Sequence, residues 1–101
     1  MRFDGFDWDR GKSEKIIGHG LTQKQVETVL LGDVYLVPDP THSAFEQRYS
    51  AIGQDEVGRY VFVVVTFRRF LGALLIRPIS ARYMHRKEVG KYEEEISQSR
   101  Q

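Results

Sequence analysis

The chain has 101 residues, 41% of them hydrophobic and 29% charged, which suffices for one small core and not for two. It contains no cysteine, so disulfide scaffolds, thiolate metal sites and thiol nucleophiles are excluded. The net charge of +1 conceals a division: residues 1–58 carry 6 Lys/Arg against 10 Asp/Glu, and residues 59–101 carry 9 against 4, a pattern that points to an acidic or nucleic-acid partner for the basic side.

Residues 3–8 alternate weakly and suit a short strand or an apolar lead-in. Their acidic, aromatic character (Phe3, Asp4, Phe6, Asp7, Trp8, Asp9) is unlike a signal peptide. The longest apolar run, Tyr60–Val65, is too short to cross a membrane. No membrane association and a cytoplasmic location are therefore expected.

Asp9 is a fair cap for a helix over about 10–18, which Gly18 and Gly20 close around His19. Thr22 caps a second helix, with Gln25 completing a capping box, an apolar stripe of Val26, Val29 and Leu30, and Gly32 at its end. The period then changes. Val34–Val37 is a short apolar run stopped by Pro38-Asp39-Pro40. Phe45–Ile52 reads as a strand, and Gly53–Gly58 as a turn. Arg59–Phe67 is apolar on both faces and belongs at the centre of a sheet. Ala73–Arg82 is a further strand in which Pro78 requires a missing ladder bond or a bulge. A last helix starts near Met84 or His85, with Val89, Tyr92 and Ile96 on one stripe and Gly90 weakening it by roughly 1 kcal/mol.

The fold class expected is α+β: two N-terminal helices, an antiparallel meander of about four strands and a C-terminal helix. It forms a single domain over 1–96, with 97–101 as a frayed tail.

Several separated motifs share an order and spacing. They are Phe6-Asp7-Trp8-Asp9 with Lys12, Gly18-His19-Gly20, Asp39-Pro40-Thr41-His42-Ser43, Glu46-Gln47-Arg48-Tyr49, Ile52-Gly53, Thr66 with Arg68, Ile79-Ser80-Ala81-Arg82, and Glu88 with Tyr92. On these residues the chain resembles, from about 6 to 93, the BrnT-type toxins, small RelE/ParE-like ribonucleases of type II toxin–antitoxin modules. It departs from their pattern at Gly18, where the family has lysine, at Gly90, where arginine or lysine is frequent, and at Pro78.

The resemblance implies a metal-independent RNA-cleaving toxin without a cofactor. It implies a cognate antitoxin partner, expected to be a small DNA-binding protein encoded nearby. A homodimer of the isolated chain is left open. Cleavage without a metal uses the 2′-hydroxyl as nucleophile. That hydroxyl must lose its proton, the phosphorane-like charge must be neutralised, and the leaving 5′-oxygen must gain a proton. His, Glu and Lys suit the proton steps, and the fork of Arg suits the phosphate. The positions matching the family motifs give Lys12, His19, Glu46, Arg48, Arg68 and Arg82. Of these His19, Glu46, Arg48, Arg68 and Arg82 are the catalytic candidates, and Lys12, with Arg69 and Arg77 of the basic stretch, is an RNA-binding candidate; which is base and which is acid does not follow from sequence.

Each has a plainer role open to it. His19 suits a helix C-terminus, Lys12 a solvated helix face, and His42 a turn. Glu46 and Arg48 suit a surface ion pair. Arg68 and Arg69 suit an exposed turn. Arg82 suits a link to a carboxylate. From Arg59 to Lys91, 8 Lys/Arg stand against the single acidic Glu88, a stretch suited to RNA or to an acidic antitoxin segment. The alternative function is a catalytically weakened binding module that keeps the partner surface. A third reading is a nucleic-acid-binding protein without a partner.

Overall fold

The computed structural model describes residues 2–11, 17–18, 20–39 and 46–99. The elements are β1 (Gly5–Phe6), α1 (Gln23–Leu31), β2 (Tyr35–Asp39), β3 (Arg48–Gln54), β4 (Tyr60–Phe70), β5 (Ala73–Tyr83) and α2 (Arg86–Ser99). The strands form one sheet in the order β1-β5-β4-β3-β2. The run from β2 to β5 is an antiparallel meander, as the short connections require.

Two expectations are corrected. The sheet is mixed and has five strands, because Gly5–Phe6 joins the outer side of β5 in parallel, opposite Leu75–Ile76. The bonds from the Asp4 amide to the Leu74 carbonyl (2.7 Å) and from the Asp7 amide to the Ile76 carbonyl (2.9 Å) extend this pairing. The bounds of the expected first helix also differ. Among the described residues there are two helices, and one of them precedes the meander. Arg10 and Gly11 lie in a turn and Ile17 bridges to Ala81, while residues 12–16 of the expected first helix lie outside the described residues.

Local signals decide α1. The Gln25 amide donates to Thr22 Oγ1 (3.2 Å) and the Thr22 amide to Gln25 Oε1 (2.8 Å), the reciprocal capping box. Its stripe of Val26, Val29 and Leu30 is buried against one face of the sheet. That face carries Ala51 from β3, Val61, Val63 and Val65 from β4, and Ile76 and Ala81 from β5. Burial of each larger aliphatic side chain is worth about 1.5–3 kcal/mol.

Strand β4 is central, but its two faces are unequal. Val61, Val63 and Val65 are fully covered, whereas Tyr60, Phe62 and Val64 are only half-buried. Pro78 faces Val65 while Ser80 faces Val64, so Ile79 forms a bulge. The proline without an N–H is thus accommodated where the ladder is already broken. The β4–β5 turn is Leu71-Gly72, both left-handed, with φ of 50° and 83°, matching a tight hairpin.

Helix α2 is attached more lightly, with none of its described side chains fully buried. Tyr92 meets Tyr60 (ring centroids 5.4 Å apart) and Tyr35 (5.9 Å), both edge-on. Among the described residues, no helix is long and apolar enough to cross a membrane.

Two glycines make opposite predictions. A Cβ on Gly53 would stand 2.9 Å from the Cγ1 atoms of both Val29 and Val34. Gly53→Ala should therefore lower stability in a denaturant melt by about 1–3 kcal/mol. Nothing lies within 4 Å of a Cβ on Gly90, so Gly90→Ala should strengthen α2 by up to about 1 kcal/mol and raise its helical circular dichroism.

Candidate functional site

The face of the sheet opposite α1 carries the polar side chains. The strand registers align Asp39, Arg48, Thr66 and Arg77 as one rung across β2, β3, β4 and β5. Asp7, just past the end of β1, completes it beside Arg77. The rung thus reads acid, base, hydroxyl, base, acid. Its centre is small and tied down: Thr66 is buried, and its hydroxyl donates to the Gln47 carbonyl (2.8 Å).

Ion pairs spread from this rung. Arg77 Nη1 lies 3.3 Å from Asp7 Oδ2, and its Nη2 lies 3.3 Å from Asp9 Oδ2. Arg68, one step along β4 on the same face, approaches Asp7 Oδ2 with Nε (3.9 Å) and Glu46 Oε1 with Nη2 (3.7 Å). One oxygen of Asp7 is therefore shared by two guanidinium groups. These distances are long for charge-assisted bonds, which favour about 2.7–2.9 Å. The groups are partly exposed, so each pair contributes about 0–1 kcal/mol.

Arg48 differs from both. It makes no side-chain hydrogen bond or ion pair with the described residues, and its Nε is buried without an acceptor. A buried donor left unpaired in this way requires an explanation.

Arg82 stands apart from the rung. It faces Phe62, four residues along β4 from Thr66, a separation of about 13 Å. Its guanidinium grips Glu88 of α2 through two bonds, Nη1 to Oε1 at 2.7 Å and Nη2 to Oε2 at 2.8 Å, and lies 4.9 Å from the Phe62 ring. Glu88 also accepts from the His85 amide (2.9 Å), reaching back to satisfy a donor just before the helix. The bonds from Arg82 and then from this amide hold the Glu88 carboxyl at about 2, and the Arg82 guanidinium is pushed up in turn, chiefly by its bonds to Glu88.

Of the residues singled out from sequence, the structure brings together Glu46, Arg48, Arg68 and Arg77. Arg69 is exposed and points to the opposite face from Arg68, in register with Leu74. Lys12, His19 and His42 lie outside the described residues. Their neighbour Gly18 is packed against β5: its amide donates to the Ala81 carbonyl (2.6 Å), and a Cβ there would meet that oxygen at 3.0 Å and Arg82 Cβ at 3.1 Å. The departure at Gly18 thus has a steric reason here.

Sequence reasoning passed over Asp7 and Asp9 as site residues. Their spacing of two, which puts both side chains on one side of an extended segment, was the available signal. It also missed a cluster at the β3–β4 turn. There the Tyr83 hydroxyl donates to Asp55 Oδ2 (2.9 Å), Asp55 Oδ1 accepts from the Val57 (3.0 Å) and Arg59 (2.9 Å) amides, and the Arg59 guanidinium lies 3.7 Å from the Tyr83 ring centre. Burial raises the Asp55 carboxyl, but these bonds outweigh it and the net shift is downward. Burial, then the bond to Asp55, pushes the Tyr83 hydroxyl up. The cluster pins the turn to the end of β5. Among the described residues no group of three or more His, Asp or Glu could hold a metal ion.

Arginines and carboxylates are thus interleaved on an open sheet face. The model of a family of ribonuclease toxins, BrnT, of type II toxin–antitoxin systems matches residues 8–88. The chain belongs to the BrnT family. Comparison with curated proteins gave no match. Membership as a BrnT toxin implies an RNA target and an antitoxin partner. The matched span includes Asp9, Glu46, Arg48, Thr66, Arg68, Arg77, Arg82 and Glu88; Asp7 lies one residue before it.

The depressed carboxyl of Glu88 yields a pH prediction. A lowered native value adds stability that is fully present above the ordinary 4.5 and is lost as pH falls through about 2. In acid titration, wild type should lose stability across that window. Glu88→Gln should be less stable than wild type at neutral pH and should show a shallower loss.

Proposed function

We propose that this BrnT-family chain cleaves RNA without a metal on the polar face of its sheet, around the rung Arg48–Thr66–Arg77. The observation that carries this is Arg48, a cation without a side-chain partner among the described residues, in the same rung as Arg77 and beside Arg68. In this reading Arg48, Arg68 and Arg77 neutralise the phosphate, whose charge grows as the 2′-hydroxyl attacks. Guanidinium forks suit that task because they meet two oxygens at once.

Proton transfer falls to Glu46, beside Arg68, and to His19; base and acid are not assigned between them. Lys12 and Arg69 add positive charge at the margins for the rest of the strand. Arg82 acts at a distance in this reading, by fastening α2 to the sheet through Glu88. Metal independence is supported by the donor set, since the site's residues are arginines with carboxylates spread along the sheet face. The partner is a small DNA-binding antitoxin encoded beside this chain, which inhibits by covering the site in the cytoplasm.

One observation favours the second reading, a weakened binding module. Arg68, Arg77 and Arg82 already carry carboxylate partners, which lowers the positive charge open to RNA.

Expression of the chain without a partner decides between them. Growth arrest with RNA loss is expected, relieved by co-expression of the neighbouring open reading frame. Purified protein should cleave RNA equally well in excess chelator. Arg48→Ala should lower kcat/KM by about 10²-fold or more, the scale for removing one oxyanion-stabilising donor, with an unchanged melting temperature. Intact RNA with wild-type protein would leave the binding module as the function.

A further inference from the structure

Asp7 is the anion on which two of the site's cations converge. Arg68 and Arg77 lie diagonally on neighbouring strands of one face. Two guanidinium groups so placed repel unless an anion stands between them. In the free chain that anion is Asp7 Oδ2, 3.3 Å from Arg77 and 3.9 Å from Arg68. It is not held as Glu88 is held by Arg82, at 2.7 and 2.8 Å through two oxygens. The Asp7 side chain is 31% exposed and Arg68 is 49% exposed, so solvent and a ligand can reach the pair.

What anchors the arm is its backbone. The Asp7 amide donates to the Ile76 carbonyl (2.9 Å), and Asp4 bonds Leu74 through both amide and carboxylate, each at 2.7 Å. The carboxylate of Asp7 can therefore turn away while the strand stays in place.

We propose that Asp7 occupies, in the free chain, the place of a phosphodiester oxygen between Arg68 and Arg77, and that RNA binds by displacing it. This rests on the reading of the polar face as the RNA site. A substrate phosphate then enters a place already occupied by an anion, between the two arginines. The carboxylate competes with it and so lowers affinity for any polyanion, RNA included. Asp9 does not share this role, since it reaches Arg77 alone.

The test is binding of a 2′-O-methyl RNA oligonucleotide, which lacks the nucleophilic hydroxyl, across a range of salt. Asp7→Asn keeps the shape and removes the charge. It should bind about three- to tenfold tighter than wild type, the scale set by one or two exposed pairs. Its salt slope should be steeper by about 0.7, one phosphate's worth of counterion release on a single strand.

Asp9→Asn and Asp33→Asn, the latter exposed near Gly53 at the far end of the sheet, serve as equal changes of net charge and should show smaller effects. In unmodified protein the Asp7 carboxyl carbon resonance should move when the oligonucleotide is added. Weaker or unchanged binding by Asp7→Asn, an equal gain in all three variants, or a static Asp7 resonance overturns the displacement while leaving the RNA site standing, provided Arg48→Ala still loses binding. Failure of wild type to bind at all, with Arg48→Ala no different, overturns both readings together.

Discussion

Gly5 and Phe6 add only two residues to the outer side of β5, yet the polar face depends on that pairing. It turns Phe6 toward the core side and Asp7 toward the arginines, since successive side chains alternate across a strand. It also shields part of the edge of β5, which Ile17 and Gly18 shield further along. The acidic beginning of the chain is thereby laid along its basic end. The charge division seen along the sequence becomes a set of short-range pairs in space, and the long-range field is far weaker than 8 cations in one stretch suggest. Any polyanion must deal with these pairs one at a time, at close range.

Much of the fold was legible because its signals are local. The capping box of α1 needs only Thr22 and Gln25. The stripe of Val26, Val29 and Leu30 follows from the helical period, and the bulge beside Pro78 from the missing donor. The same holds for the antiparallel run, where short turns leave no other pairing. Residues 3–8 suited a short strand or an apolar lead-in, but the parallel pairing of Gly5–Phe6 was not legible. Two residues carry too little periodicity, and their partners lie 70 positions away.

The site was legible only in part for the same reason. Glu46, Arg48 and Arg68 gather because β3 and β4 are sequence neighbours. Arg77 joins them through the β4–β5 hairpin. Asp7 and Asp9 arrive from the far end of the chain, so nothing nearby announces them. Arg82 is the converse case. Its place at a strand end suited a phosphate ligand or a carboxylate link equally, and Glu88, six residues on, supplies the carboxylate.

The attachment of α2 bears on how much of the polar face is open. This helix of 14 residues has no fully buried side chain among those described, and a forked ion pair and the ring of Tyr92 are among the contacts that hold it. The same contacts cover Phe62 and Tyr60 at one end of the sheet. The accessible area of the polar face is thus tied to the docking of α2. A ligand that reached the covered end would have to compete with Glu88 for Arg82 and with Tyr92 for Tyr60.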